Sequence, residues 1–204
     1  MMIIRHRVNL IGELKKTPSE YGVEIDVRGY GNKIFLSHDP IEDLKKYCEL
    51  DDYLKNFNHS FIIFNMKEAG YEQKVIDLAK KFGIENYFLL DVEFPYLYKA
   101  TRKEFFRKIA VRYSEAEPIE GVETQMGNGV PLLDWVWIDT NTRLPLNSEI
   151  LKKLQMFKTC LVCPERWGRP EDILKYQEQM GSLNFKPTAV MTSLDCIEKW
   201  KRFK

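Results

Sequence analysis

The 204-residue chain carries 31 Lys and Arg against 30 Asp and Glu, a formal net charge of +1, with neither sign gathered into a block. That balance asks for neither a nucleic-acid nor a membrane partner. The length suits a single domain over 1–204, since no Pro/Gly/Ser-rich linker or low-complexity tract divides it.

Short apolar or alternating runs rich in Ile, Val, Phe and Tyr recur along the chain and predict strands at 2–8, 22–27 continued by 33–39, 60–67, 86–92, 108–114, 135–141, 159–165 and 188–193. Helical spacing appears between several of them. Val75, Ile76, Leu78, Ala79 and Phe82 recur near that spacing, with Gly83 at the expected helix end. Asn147 or Ser148 is a candidate cap for the next helix, and Pro170 and Gly181 bracket a third. The segment 115–134 is the least periodic and predicts no ordinary long helix.

Strand followed by helix, repeated to the C-terminus, calls for an α/β fold with a parallel sheet and crossover helices. Eight such units predict a compact (β/α)8 TIM barrel with short helices, because typical barrels run to about 250 residues. A doubly wound open sheet is the alternative.

Four cysteines, Cys48, Cys160, Cys163 and Cys196, are too sparse for a disulfide framework. The first apolar run is too short for a secretory signal, and no segment approaches the ~18 apolar residues of a membrane span. A cytoplasmic setting is expected. Cys160 and Cys163 form a C-x-x-C within an apolar run and lack a second pair at ligand spacing, so buried strand thiols are expected there.

In a parallel barrel the chemistry collects at the C-terminal strand ends. His6 and Arg7 close the first predicted strand, Glu24 and Asp26 lie on the second, His38 ends its continuation, and Asn65 and Lys67 end the third. Residues i and i+2 of a strand share a face, so Glu24 and Asp26 project together. Paired carboxylates repel unless a proton or cation lies between them, and a divalent cation with oxygen ligands, Mg²⁺ or Ca²⁺, satisfies that need. The competing reading is an exposed pair, or one bridged to Arg or Lys. Two of the three histidines fall beside this pair, and a side chain with a pKa of ~6.5 suits proton transfer during displacement at phosphorus. His59, in a polar loop, is expected at the surface.

The series His6-Arg7 with Asn9, Glu24-x-Asp26, His38-Asp39 and Lys67 resembles the glycerophosphodiester phosphodiesterase family, within the phosphatidylinositol-phospholipase-C-like barrels. The ordered match covers roughly the first 70 residues. It implies a metal-dependent phosphodiesterase that cleaves a small soluble glycerophosphodiester or sugar- or polyol-phosphodiester. His6 and His38 would be the acid/base pair. Glu24, Asp26 and Asn65 would hold the cation, with Arg7, Asn9 and Lys67 binding substrate.

Two positions depart from the family pattern. Val8 stands where a glycine commonly follows His-Arg, and Asn65 replaces the third metal carboxylate two residues before the lysine. An amide oxygen ligates without charge, so cation affinity should fall unless Asp91 or Glu115 substitutes. The alternative function is a phosphate- or sugar-phosphate-binding barrel without catalysis. Arg112, Glu115 and Trp137, at later strand ends, together with Asp139, Glu165, Arg166 and Trp167, are candidates for substrate specificity. Trp135 and Trp137 also read as alternating packing.

Overall fold

A computed structural model describes residues 1–203. The chain divides into two compact units, one of Ile4–Leu97 and one of Met1–Ile3 with Tyr98 onwards. The fold is mixed α/β with a large, mostly parallel sheet.

The first unit contains β1 (Met2–Arg5, whose first residues belong to the second unit), α1 (Ile11–Lys16), β2 (Gly22–Tyr30), β3 (Lys33–Leu36), β4 (Cys48–Glu49), α2 (Leu50–Lys55), β5 (Phe61–Met66), α3 (Glu72–Lys81) and β6 (Tyr87–Leu90). Parallel ladders order four strands as β1, β2, β5 and β6. Both faces of these strands are covered, which explains why Gly22 to Val27, Phe61 to Met66 and Tyr87 to Leu90 are buried without alternation. β3 and β4 join as antiparallel additions. The reversal between β2 and β3 passes through Gly31 at φ 55°, a conformation glycine adopts without a Cβ penalty.

Helix α3 shows how local sequence ends an element. Val75 and Ala79 face the core, and Gly83 at φ 67° closes the helix. The Gly83 N–H donates to Lys80 O at 3.1 Å and the Ile84 N–H to Ala79 O at 2.8 Å, the paired bonds of a Schellman cap.

At the start of β2, Gly22 allows close strand packing. A Cβ there would lie 2.4 Å from Ile4 Cδ1, 2.9 Å from Phe61 Cβ and 3.1 Å from Phe61 O. The last two belong to the backbone of β5 or hang directly on it, so the strands would have to part. Gly22→Ala is expected to destabilise the protein by about 1–3 kcal/mol, read as a lower urea midpoint with an unchanged m-value.

α4 (Phe94–Arg102) leads into the second unit, which contains β7 (Ala110–Tyr113), α5 (Glu120–Glu123), β8 (Met126–Gly127), β9 (Val130–Pro131), β10 (Trp135–Ile138), α6 (Ser148–Leu154), β11 (Lys158–Val162), α7 (Asp172–Ser182), β12 (Ala189–Thr192) and α8 (Ile197–Lys201). Its ladders order β7, β10, β11 and β12 in parallel, and Met2 donates its N–H to Thr188 O at 2.9 Å. Asn147 caps α6 by accepting from the Ile150 N–H at 2.9 Å. Cys160 and Cys163 are buried thiols. Segment 115–134 holds only the single turn α5 and the small β8–β9 hairpin.

Strands occupy the eight expected positions, four in parallel ladders in each unit, but among the described residues no ladder closes them into a ring. Among the described residues β6 pairs with β5 alone and β7 with β10 alone. Helices α2 and α4 were not singled out by periodicity. No helix among the described residues is long and apolar enough to cross a membrane.

Candidate functional site

Within the first unit, β2 projects Glu24 and Asp26 from one face, each with 1% of its surface exposed. The parallel register sets Asn65 of β5 beside Asp26, and the Lys67 N–H donates to Val27 O at 2.9 Å, so Lys67 continues the same face two residues on. The carboxylates are therefore buried. Of the readings open from sequence, the bridge to a cationic side chain is observed: Lys67 Nζ stands 3.2 Å from Asp26 Oδ1.

The segment after β1 arches over this pair. Arg7 adopts φ 52°, a left-handed backbone that costs a non-glycine residue about 1–3 kcal/mol. The buried carboxylate compensates, because the Arg7 N–H donates to Glu24 Oε2 at 2.8 Å, and the Glu24 backbone carbonyl accepts from the Val8 N–H at 2.8 Å. The left-handed turn thus falls on Arg7 itself, and Val8 is free to be a fully buried apolar residue. His6 Nε2 lies 3.8 Å from Glu24 Oε2, and Arg7 Nε lies 3.6 Å from Asp26 Oδ2.

Asn9 is turned inward as a clamp. Its Nδ2 donates to Asp26 Oδ2 at 2.9 Å, while its Oδ1 accepts from the Asp26 N–H at 2.8 Å. Both ends of the amide hold β2 in place.

His38 arrives through β3. The Ser37 N–H donates to Asp26 O at 3.0 Å, and the next residue carries the histidine, with its Nδ1 2.8 Å from Asp39 Oδ1. Arg28 donates to His38 O at 3.0 Å and pairs with Glu68 at 3.0 Å.

Sequence reasoning missed Arg28, although it lies two residues beyond Asp26 and continues the period of the strand. It also missed Tyr53, a fully buried residue of α2 whose hydroxyl donates to Val8 O at 2.8 Å and braces the arch from beneath. No motif marks Tyr53. His59 is part-buried rather than a plain surface residue, since its Nε2 donates to Thr17 O at 2.9 Å.

Arg112, Glu115 and Trp137 lie in the second unit. Arg112 pairs with Asp139 at 2.9 Å and lies 5.9 Å from the Trp137 ring centre, while Trp167 Nε1 donates to Asp139 Oδ1 at 3.0 Å. The Glu115 carboxylate accepts from the Thr142 N–H and hydroxyl. Trp135 and Trp137 are both buried in β10.

Burial, and next the charge of Asp26, push the Glu24 carboxyl up from 4.5 to about 7. Hydrogen bonds from Asn65 and Arg7 and the Lys67 charge oppose the rise. A carboxyl raised on folding stabilises the fold fully below its unfolded pKa, and the benefit is lost as pH climbs through the folded value. The Glu24 contribution to stability is therefore expected to fall by about 3 kcal/mol between pH ~4.5 and ~7. Glu24→Gln should flatten that decline in urea denaturation series; an unchanged decline would place its origin elsewhere.

The cation implied by the family resemblance meets a donor set that does not fit it. Each carboxylate oxygen already faces a protein donor: Asn65 Nδ2 at 2.8 Å and the Arg7 N–H at 2.8 Å on Glu24, Lys67 Nζ at 3.2 Å and Asn9 Nδ2 at 2.9 Å on Asp26. Asn65 Nδ2 also lies 3.4 Å from Asp26 Oδ1, between the two acids. Among the described residues no group of three or more His, Cys, Asp or Glu is arranged to hold a metal ion.

By sequence the chain matches no family model and no curated protein. By fold it is similar to solved structures. A glycerophosphodiester phosphodiesterase from Agrobacterium tumefaciens str. C58 superposes with a TM-score of 0.64 at 12% identity over 94% of this chain and 95% of that one. A putative glycerophosphoryl diester phosphodiesterase from the same organism gives 0.64 at 12% over 94% and 93%. A glycerophosphoryl diester phosphodiesterase from Parabacteroides distasonis ATCC 8503 gives 0.61 at 12% over 93% and 81%. The fold likeness thus spans nearly the whole chain.

Proposed function

We propose that the chain is a phosphoric diester hydrolase, a divergent (β/α)8 barrel over 1–204 that cleaves a small soluble glycerophosphodiester or sugar- or polyol-phosphodiester. One observation carries this reading: His6, Arg7 and Lys67 are gathered over a buried carboxylate pair at the C-terminal ends of β1, β2 and β5. The fold shared with three phosphodiesterase structures supports it. The free cysteines and the even charge suit a cytoplasmic enzyme whose partner is its substrate, with neither nucleic acid nor membrane involved.

In this reading the Arg7 guanidinium and the Lys67 ammonium receive the non-bridging phosphate oxygens. One histidine takes the proton of the attacking hydroxyl, from water or from the substrate. The other gives a proton to the departing alkoxide oxygen as its bond to phosphorus breaks. Glu24, beside His6, orients that ring, and Asp39 orients His38. Asp26 holds Lys67 and Arg7 in place. The test is cleavage of a panel of glycerophosphodiesters and a chromogenic diester by the purified chain. Turnover of none would refute the hydrolase.

A second reading, phosphate or sugar-phosphate binding without catalysis, is favoured by one feature. Asn65 stands where the family resemblance leads one to expect a third acid, which leaves the site with two carboxylates. Tight binding of glycerophosphodiesters that are recovered intact would select it.

A further inference from the structure

The arrangement of donors around Glu24 and Asp26 goes beyond the hydrolase reading, on which it rests for the identity of the ligand. A cation shared by two carboxylates needs oxygens that converge on one point with their lone pairs open. Here the bridging point is occupied by the Asn65 amino group, 2.8 Å from Glu24 Oε1 and 3.4 Å from Asp26 Oδ1. The outer oxygens, Glu24 Oε2 and Asp26 Oδ2, accept from the Arg7 N–H and from Asn9 Nδ2.

Charge leads to the same place. Two cationic side chains already face the pair, with Lys67 Nζ 3.2 Å and Arg7 Nε 3.6 Å from Asp26. A divalent ion added to that set would leave a buried excess of positive charge with no third carboxylate to offset it. The Asn65 orientation is decided by the same neighbours. Its Oδ1 is buried with no hydrogen-bond partner, yet turning the amide over would take the one N–H donor that faces both Glu24 Oε1 and Asp26 Oδ1 away from the two acids. An unpartnered carbonyl oxygen is the lesser cost.

We infer that Asn65 and Lys67 replace the bridging cation from within the chain, and that this site takes the anionic oxygens of a phosphate ester without Mg²⁺ or Ca²⁺. The positive charge facing the phosphate is the protein's own. Its strength is set by Arg7 and Lys67, which the acids hold in place and whose side chains remain 38% and 17% exposed.

The experiment compares wild type with Asn65→Asp, an exchange of equal volume that adds a third carboxylate. Calcium and magnesium chlorides are titrated into each protein by calorimetry, and thermal midpoints are recorded with and without about 10 mM of each ion. Inorganic phosphate is titrated with and without EDTA. Wild type should give no binding heat and no ion-dependent midpoint, and its phosphate Kd should stay within about twofold in EDTA. Asn65→Asp should gain calcium affinity by at least about tenfold, seen also as a calcium-dependent rise in midpoint.

Sub-millimolar binding of either ion by wild type would overturn the inference. So would phosphate binding that EDTA weakens about tenfold, or no phosphate binding in either condition. A folded Asn65→Asp that gains nothing would remove Asn65 from its assigned role. Failure of the hydrolase reading looks different: diesters would survive while phosphate binding persisted, indifferent to metal.

Discussion

Lys67→Met is expected to lower folding stability by about 3 kcal/mol, an effect far larger than loss of a surface ion pair. Methionine fills the space of the lysine stem, so the change isolates the charge. What remains is Asp26, 1% exposed, beside a second buried acid. Asn9 and Arg7 still face Asp26, which holds the loss below that of a fully orphaned charge. The urea midpoint at neutral pH measures it. The same substitution in an Asp26→Asn background should cost well under half as much, because the charge left unbalanced is gone. Equal losses in both backgrounds would show that packing of the lysine stem is responsible.

His6→Ala and His38→Ala are each expected to lower kcat by about 10²–10⁴-fold on any diester the protein turns over, the range for loss of a positioned acid or base. Neither side chain is in the core: His6 is 22% and His38 38% exposed, so circular dichroism and thermal midpoints should stay close to wild type. Phosphate affinity should change little, since Arg7 and Lys67 remain. Asp39→Ala, which removes only the 84% exposed partner of the His38 ring, should cost less than loss of the ring itself. Full turnover in either histidine variant would withdraw that residue from proton transfer.

The carboxylate pair was legible because strand geometry repeats every two residues, and that rule alone sets Glu24 and Asp26 on one face. The same rule extended one step would have found Arg28. What lies across strands was not legible in local pattern, and only the family resemblance set Asn65 with Glu24 and Asp26. Asn65 reaches Glu24 and Asp26 only through the register of β5 on β2, which pairing sets and local sequence does not.

The direction in which an amide points is a property of its neighbours, so sequence assigned Asn65 as an oxygen ligand and Asn9 as a substrate contact. The structure turns the NH₂ of each towards a carboxylate. Helix α2 was missed for another reason. Its six residues are too few to display a period, and tertiary packing stabilises it. The strand series was read correctly, whereas ring closure depends on ladders between distant strands that no local pattern encodes.

The arch from His6 to Asn9 is fastened before any ligand arrives. Tyr53 holds it at Val8 O, Glu24 at two backbone N–H groups, and Asn9 at both ends of its amide. The conformational entropy of that segment is surrendered during folding, when the whole chain orders, and not again on association. A ligand therefore meets a rigid rim, and its binding free energy is not diminished by the need to immobilise four residues.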